Sequence, residues 1–354
     1  MRTTQRVLAA LTALPLLLLA ACGATDADAG SITPSPATEL RLGYFGNVTH
    51  SPALVGVAKG LFAAELGDTK LSTQVFNAGP AAIEALNAGA IDATFIGPNP
   101  AINGFIKSQG ESLRIIAGST SGGAQLVVRD GITTAADLKG AELATPQLGG
   151  TQDVALRAWL TAQGLENSLT GGGDVTITPT ENASTLQLFQ DGQLDGAWLP
   201  EPWASRLVLD AGAHVLVDEK DLWPDGQFLT THLIVAKAFL AEHPETVEAL
   251  LRGTVASVDW LNANPGEAPA VVNAEIAKIS GKPLSDAVIA RAFTNITFSV
   301  DPLATTLDTL LTAGVTAGTT EKASLDGIYD LRLLNKILTA DGKPAVSAAG
   351  LGQE

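Results

Sequence analysis

Apolar positions along the chain alternate between two periods. Leu40–Tyr44 carries the short apolar run of a strand, and Ala53–Phe62 then follows the three-to-four spacing of a helix. Leu71–Phe76 and Ile91–Ile96 read as strands, and Pro80–Asn87 and Ala101–Ser108 as helices. Leu113–Ala117 and Ala124–Val128 read as two strands separated by Gly118–Gly123. Strand runs recur near His214–Val217 and His232–Val235. The region Pro244–Ala345 is mostly helical, with amphipathic helices expected over Pro244–Asn262 and Leu325–Leu338. Such alternation predicts an α/β fold with parallel strands joined by crossover helices.

The pattern contains one internal repeat. Gly89–Ile96 (GAIDATFI) matches Gly192–Leu199 (GQLDGAWL), with Gly on Gly, Asp on Asp, Ile91 on Leu194 and Phe95 on Trp198. Each block follows an amphipathic helix and precedes a proline-containing turn, Pro98-Asn99-Pro100 or Pro200-Glu201-Pro202. One such repeat implies two similarly built lobes rather than a solenoid.

The first residues carry a different pattern. Arg2 and Arg6 precede an apolar stretch, Val7–Ala21, broken only by Thr12 and Pro15. This is the layout of a secretory signal peptide over residues 1–21. Its end, Leu19-Ala20-Ala21-Cys22, resembles the bacterial lipobox, in which the cysteine is lipidated and the chain is cut just before it. Gly23–Thr38 is rich in Ala, Asp, Gly, Ser, Thr and Pro and lacks periodicity. Residues 22–38 are therefore expected to be a lipid-anchored cysteine and a flexible linker, with an r.m.s. reach of roughly 20–25 Å. An extracytoplasmic, membrane-anchored protein follows.

Composition narrows the function classes. The chain has 354 residues, enough for two domains, with a formal net charge of −16 and one Cys. The acidic balance argues against nucleic acid as a partner. One Cys and four His, at 50, 214, 232 and 243, supply no ligand set for structural zinc, and no metal or cofactor is expected. Gly118-Ser119-Thr120-Ser121-Gly122 is not a nucleophile elbow, because Thr120 stands in the nucleophile slot. Walker and H-E-x-x-H motifs are absent, so a non-enzymatic role is expected.

Candidate chemistry lies in the strand-to-helix turns, where open α/β sheets bind ligands. Gly43–Pro52, Gly97–Ala101, Gly118–Ala124, Thr145–Gln152, Pro200–Ala204 and Phe228–His232 contain no Lys or Arg. They offer Asn47, Thr49, His50, Asn99, Ser119, Ser121, Gln147, Thr151, Gln152 and His232. Asn99 before Pro100, and Thr151 after two glycines, read as helix caps. Helix N-termini expose free N–H groups and bind anions without cationic side chains, which suits a weakly basic oxyanion. Glu201 is open to three readings: meeting an amine or hydroxyl on a ligand, capping its helix, or pairing with Arg206. Trp203 and Trp223 read either as cleft walls or as core. His50 and His232 read as ligand donors or as structural histidines.

The stretches Leu40–Gly56, Ile91–Asn103, Leu143–Leu160, Asp195–Val208, Asp221–Val235 and Ile328–Leu338 together resemble the nitrate/sulfonate/taurine family of ABC-transporter substrate-binding proteins. The aliphatic-sulfonate branch is the nearest, and the resemblance runs from about residue 39 to 345. It implies a two-lobed periplasmic-binding-protein-like (type II) fold, with a ligand cleft between lobes and two crossover strands near Gly118–Leu126 and Phe228–Ile234. Lobe one would be residues 39–124 plus 232–354, and lobe two 125–231. The implied function is capture of a small oxyanion-bearing solute, an aliphatic sulfonate first, and its delivery by a monomer to an ABC permease with its ATPase. Taurine, nitrate and a thiamine-pyrimidine precursor are alternative ligands. An enzyme on the same bilobal fold, or an adhesion or sensory lipoprotein, is the alternative of another class. Relatives often carry Pro where Gly46 stands and Ser where Asn99 stands.

Overall fold

The structure is a computed structural model and describes residues 35–354. The expected signal peptide and Cys22 lie outside the described residues. The β-branched and aliphatic runs form β1 (Glu39–Phe45), β2 (Lys70–Phe76), β3 (Ala93–Ile96), β4 (Leu113–Gly122), β5 (Ala124–Val128), β6 (Glu142–Thr145) and β7 (Thr176–Pro179). They continue as β8 (Gly196–Pro200), β9 (His214–Asp218), β10 (Leu229–Ala236), β11 (Ile296–Phe298), β12 (Tyr329–Asp330) and β13 (Gly352–Gln353). The helices are α1 (Ser51–Ala58), α2 (Leu61–Leu66), α3 (Gly79–Asn87), α4 (Pro98–Lys107), α5 (Thr151–Ala162), α6 (Asn182–Gln190) and α7 (Trp203–Ala211). After them come α8 (Lys237–Glu242), α9 (Pro244–Ala263), α10 (Ala268–Ser280), α11 (Asp286–Thr294), α12 (Leu307–Thr316) and α13 (Arg332–Ala340).

The strands divide between two sheets. The larger has eight strands, ordered β13-β12-β4-β10-β3-β1-β2 with β11 paired to β4. The smaller has five, ordered β7-β6-β8-β5-β9. The chain leaves the first sheet between β4 and β5, at Gly123, and returns between β9 and β10. Gly123 has φ +77°, and a methyl there would strike Ile296, so both conformation and space call for glycine. Each sheet and its helices form one half of the molecule.

The sheets are mixed, not wholly parallel. β1 pairs in parallel with β2 and β3, and β6 with β7 and β8. β10 runs antiparallel to β3 and β4, and β5 antiparallel to β8 and β9. These are the strands by which the chain changes sheet, so they enter against the direction of the strand–helix–strand units. Gly118–Gly123 is not an open turn: β4 continues to Gly122, because β10 and β11 pair with it. Ala53–Phe62 is split into two helices at Gly60, which has φ +68°. Leu325–Leu338 is not one helix. Tyr329 pairs with Ile115 in the sheet, and α13 begins only at Arg332.

Every residue of β3 is buried, as expected for a strand covered by helices on both faces. Phe62 is buried against α1 and α9, where side chains at Gly56 and Gly253 would collide with its ring. In the second half, Trp198 is fully buried with Leu126, Leu143 and Phe228. No helix among the described residues is long and apolar enough to cross a membrane.

Of the three buried carboxyls in the second half, Asp153, Glu201 and Glu219, the last has no cation beside it among the described residues. Glu219 accepts a hydrogen bond from Trp198 Nε1 at 2.8 Å. Burial pushes its pKa up to about 7, against the lowering influence of the Trp198 and Trp223 indoles. The folded state thus holds this proton to higher pH than the unfolded chain does. Its contribution to stability is present below about pH 4.5 and is lost as pH rises through 7, by on the order of 3 kcal/mol. Glu219→Gln cannot titrate and still accepts from Trp198. Thermal melts from pH 5 to 8 are expected to show a falling Tm in the wild type and a flatter profile in the variant. Parallel profiles would contradict this assignment.

Candidate functional site

Parallel strands within each half deliver their carboxyl ends to one side, and the two halves meet there. A cavity of ≈ 30 Å³ lies between them, room for about two waters. The first half lines it with Asn47, Thr49 and His50 after β1, Asn77 to Gly79 after β2, Gly97 and Pro100 around the start of α4, and Thr230 and Thr231 on β10. The second half contributes Pro146 and Gly150 to Gln152 after β6, Asn182 after β7, and Pro200 at the end of β8.

Five helices start against this space. His50, Ala78, Gly97, Gly150 and Glu181 are the N-caps of α1, α3, α4, α5 and α6, and none makes a side-chain capping bond. Their first-turn N–H groups have no intrahelical partner. Proline in the first turn of α1, α3 and α4 removes donors there. The free N–H groups are therefore concentrated on α5 and α6. Among the described residues, the lining holds no Lys, Arg, Asp or Glu.

The turn before α5 is shaped by a buried ion pair. Asp153 accepts from Thr145 Oγ1 at 2.9 Å, from the Gly149 amide at 3.0 Å and from Arg157 Nε at 3.0 Å. Both side chains of the pair are buried. Breaking one partner of such a pair costs about 3–5 kcal/mol, whereas apolar replacement of both is often neutral. In urea unfolding, Asp153→Ala is expected to lose that amount, and Asp153→Leu with Arg157→Met to recover most of it. Equal losses in the two variants would refute the pair as the source.

Several candidates from the sequence face the cavity: Asn47, Thr49, His50, Thr151 and Gln152. His50 Nδ1 accepts from the Phe45 amide at 3.3 Å, its ring stacks on Phe45 at 4.3 Å, and burial pushes its pKa down to about 3. Thr151 is the first residue of α5 rather than its cap, which is Gly150. Its hydroxyl is buried without a protein partner, as are Thr231 Oγ1 and Asn182 Oδ1.

Other candidates lie elsewhere. Asn99 is inside α4, whose cap is Gly97, and it donates to the Leu310 carbonyl at 3.0 Å instead of facing the cavity. Ser119 and Ser121 are interior to β4, and Ser121 Oγ accepts from the Phe228 amide at 3.2 Å. Gln147 is half-buried and does not line the space. His232 is enclosed between Ile96 and Gly118 on neighbouring strands, and burial pushes its pKa down to about 3. Trp223 stacks on Phe228, with ring centroids 5.9 Å apart.

Glu201 faces away from the cavity and is fully buried. Its carboxylate accepts from the Ser205 amide at 3.1 Å, Arg291 Nη1 at 3.1 Å and Asn295 Nδ2 at 2.6 Å. It thus caps α7 and pairs with Arg291, while Arg206 pairs with Asp210 at 3.4 Å. Arg291 also reaches Ser205 Oγ and Gln125 Oε1, each at 2.8 Å, tying α11 to the second half. Trp203 Nε1 donates to Asn47 Oδ1 at 2.9 Å, and Asn77 Nδ2 to Glu181 Oε1 at 2.9 Å, both across the two halves.

Asn77, Gly79 and Asn182 line the cavity without having been singled out from the sequence, and Pro200 joins them as the first residue of the expected turn Pro200–Ala204. The repeat offset, 192 against 89, carries Gly79 onto Asn182 and Gly97 onto Pro200. The signal was in the repeat and extended beyond the aligned block.

The NMT1-like family matches residues 33–277. An Escherichia coli (strain K12) protein, named provisionally for aliphatic-sulfonate binding, is 30% identical over 202 residues, 55% of this chain and 58% of its own. Among solved structures, the alkanesulfonate-binding protein SsuA from Xanthomonas axonopodis pv. citri, bound to MOPS, superposes with a TM-score of 0.68. It is 23% identical, and the match covers 81% of this chain and 96% of that one. The periplasmic nitrate-binding protein NrtA from Synechocystis PCC 6803 gives a TM-score of 0.71 at 17% identity, over 89% of this chain and 93% of that one. At such identities the likeness is one of fold, the two-lobed periplasmic-binding-protein fold.

Proposed function

Because the chain belongs to the NMT1-like family, we propose that it is the substrate-binding component of an ABC importer, an extracytoplasmic receptor that closes two lobes over a small oxyanion-bearing solute. Lobe one takes the eight-stranded sheet, through Gly123 and again from Leu229, and lobe two the five-stranded sheet between them, so the return crossing falls at 229 rather than at 232. The observation that carries the reading is the convergence of helix N-termini from both halves, with the free N–H groups concentrated on α5 and α6, on a cavity with no charged side chain among its described lining residues. A ligand contacting both lobes stabilises the closed state by its differential affinity for that state. The closed form then delivers the solute to the permease. The lipobox supports anchoring through Cys22, and the receptor is proposed to act as a monomer.

An aliphatic sulfonate is the first solute, supported by the names of the E. coli and Xanthomonas relatives. The ≈ 30 Å³ volume supports nitrate as the second. Taurine is less favoured, because Glu201, the carboxylate that would meet its ammonium, is committed to Arg291, Asn295 and Ser205. The one imidazole among the described lining residues, His50, has its Nδ1 occupied by the Phe45 amide, and no Ser, Cys, Lys or carboxylate joins the lining threonines, which supports a receptor over an enzyme.

Ethanesulfonate or nitrate at about a hundred times its Kd is expected to add about 2.7 kcal/mol and raise Tm by several degrees. If neither stabilises the protein at millimolar concentration, the ligand class is wrong. Gly97 lies against Thr151 across the halves, and a methyl there would collide with Thr151 Oγ1. Gly97→Ala is expected to weaken the stabilising anion at least tenfold by calorimetry and to abolish its compaction of the protein in small-angle scattering. Wild-type compaction in the variant would exclude this contact as a condition of closure.

A further inference from the structure

We propose that two hydrogen bonds behind the cavity set its polarity: the Phe45 amide to His50 Nδ1, and the Trp203 indole to Asn47 Oδ1. The proposal rests on the oxyanion reading above and deepens it. An imidazole and a carboxamide each carry one donor side and one acceptor side, and either can face a ligand. A peptide N–H and an indole N–H can only donate, so the atoms they meet are acceptors. In neutral His50 the proton is then on Nε2, and Asn47 keeps only its Nδ2 group for other partners. Both residues line the cavity, and the side that each has left for a ligand is a donor.

The ligand class follows from that polarity. An oxyanion with no proton, such as a sulfonate, presents acceptors on every oxygen. A monoprotonated phosphonate of the same shape brings an O–H that needs an acceptor, and no carboxylate lines the space. Threonine hydroxyls at 49, 151 and 231 can rotate to accept, and the Asn182 amide can turn, so rejection is graded rather than absolute. The second lock has a further consequence. Trp203 belongs to the second half and Asn47 to the first, so this bond exists only when the halves are together. Trp203 is a positioning residue that makes the donor orientation of Asn47 a property of the closed state.

Calorimetry of ethanesulfonate and ethylphosphonate at about pH 6, where the phosphonate carries one proton, tests the inference. The wild type is expected to prefer the sulfonate by tenfold or more. Trp203→Phe keeps a ring beneath Arg206 and loses the N–H, freeing Asn47 to turn its oxygen inward. The preference is expected to shrink about fivefold. A variant that weakens both probes by the same factor overturns the proposal, as a merely structural role would do that. Wild-type protein that binds neither probe removes the oxyanion reading, and this inference with it. Nitrogen-15 NMR of His50 in the wild type decides the first lock without a ligand. A neutral ring protonated at Nε2 from pH 5 to 8 supports it, and protonation at Nδ1 overturns it.

Discussion

Backbone N–H groups that a helix cannot satisfy in its own first turn are the constraint around which the cleft is built. They must meet water, a side chain or a ligand. In this chain the caps of α1, α3, α4, α5 and α6 supply no side-chain acceptor, and all five starts surround one cavity. The arrangement depends on the sheets. Strands β1, β2 and β3 run together in one, and β6, β7 and β8 in the other, so each set of helices begins at the same end of its sheet. Facing the two ends produces a donor-rich space without a cationic side chain. Overall acidity, with a formal charge of −16, is therefore no obstacle to holding an anion.

Charged groups near the cleft are spent on architecture. Asp153 and Arg157 neutralise each other within α5 and hold the turn that leads to it. Glu201 and Arg291 do the same across the halves, with Asn295, Ser205 and Gln125 completing the bonds. A buried carboxylate left free beside the cavity would repel an anion. Pairing removes that field and also keeps the lining neutral. His50 and His232 stay uncharged for a related reason, since burial lowers both well below the usual histidine range.

Legibility in the sequence followed the range of the interactions. Strands and helices with clear periodicity form where expected, as at Leu71–Phe76, Ile91–Ile96 and Pro244–Asn262. Patterns failed where a distant partner outweighed local spacing. Gly118–Gly123 looks like a turn, yet β10 and β11 pair it into β4 as far as Gly122. Tyr329 sits in a helical pattern, yet pairs with Ile115. Asn99 looks like a cap because Pro100 follows it, but Pro98 already opens α4 and turns Asn99 toward Leu310. Glu201 was readable as a ligand contact because its partner Arg291, 90 residues away, leaves no local trace.

The sequence by itself determined the class of chemistry. Turns without Lys or Arg, rich in Gly, Asn and Thr, can offer only neutral donors, and the repeat at 89 and 192 announced two similar halves. Tertiary structure decided which of those donors share one space and which way each is turned. Phe45 and His50 are five residues apart, but Trp203 and Asn47 are 156 apart and Asn77 and Glu181 are 104 apart. Composition and periodicity report what a segment can do with its neighbours in sequence. The orientation of an amide or imidazole is set by the partner behind it, and that partner is brought there only by the folding of the whole chain.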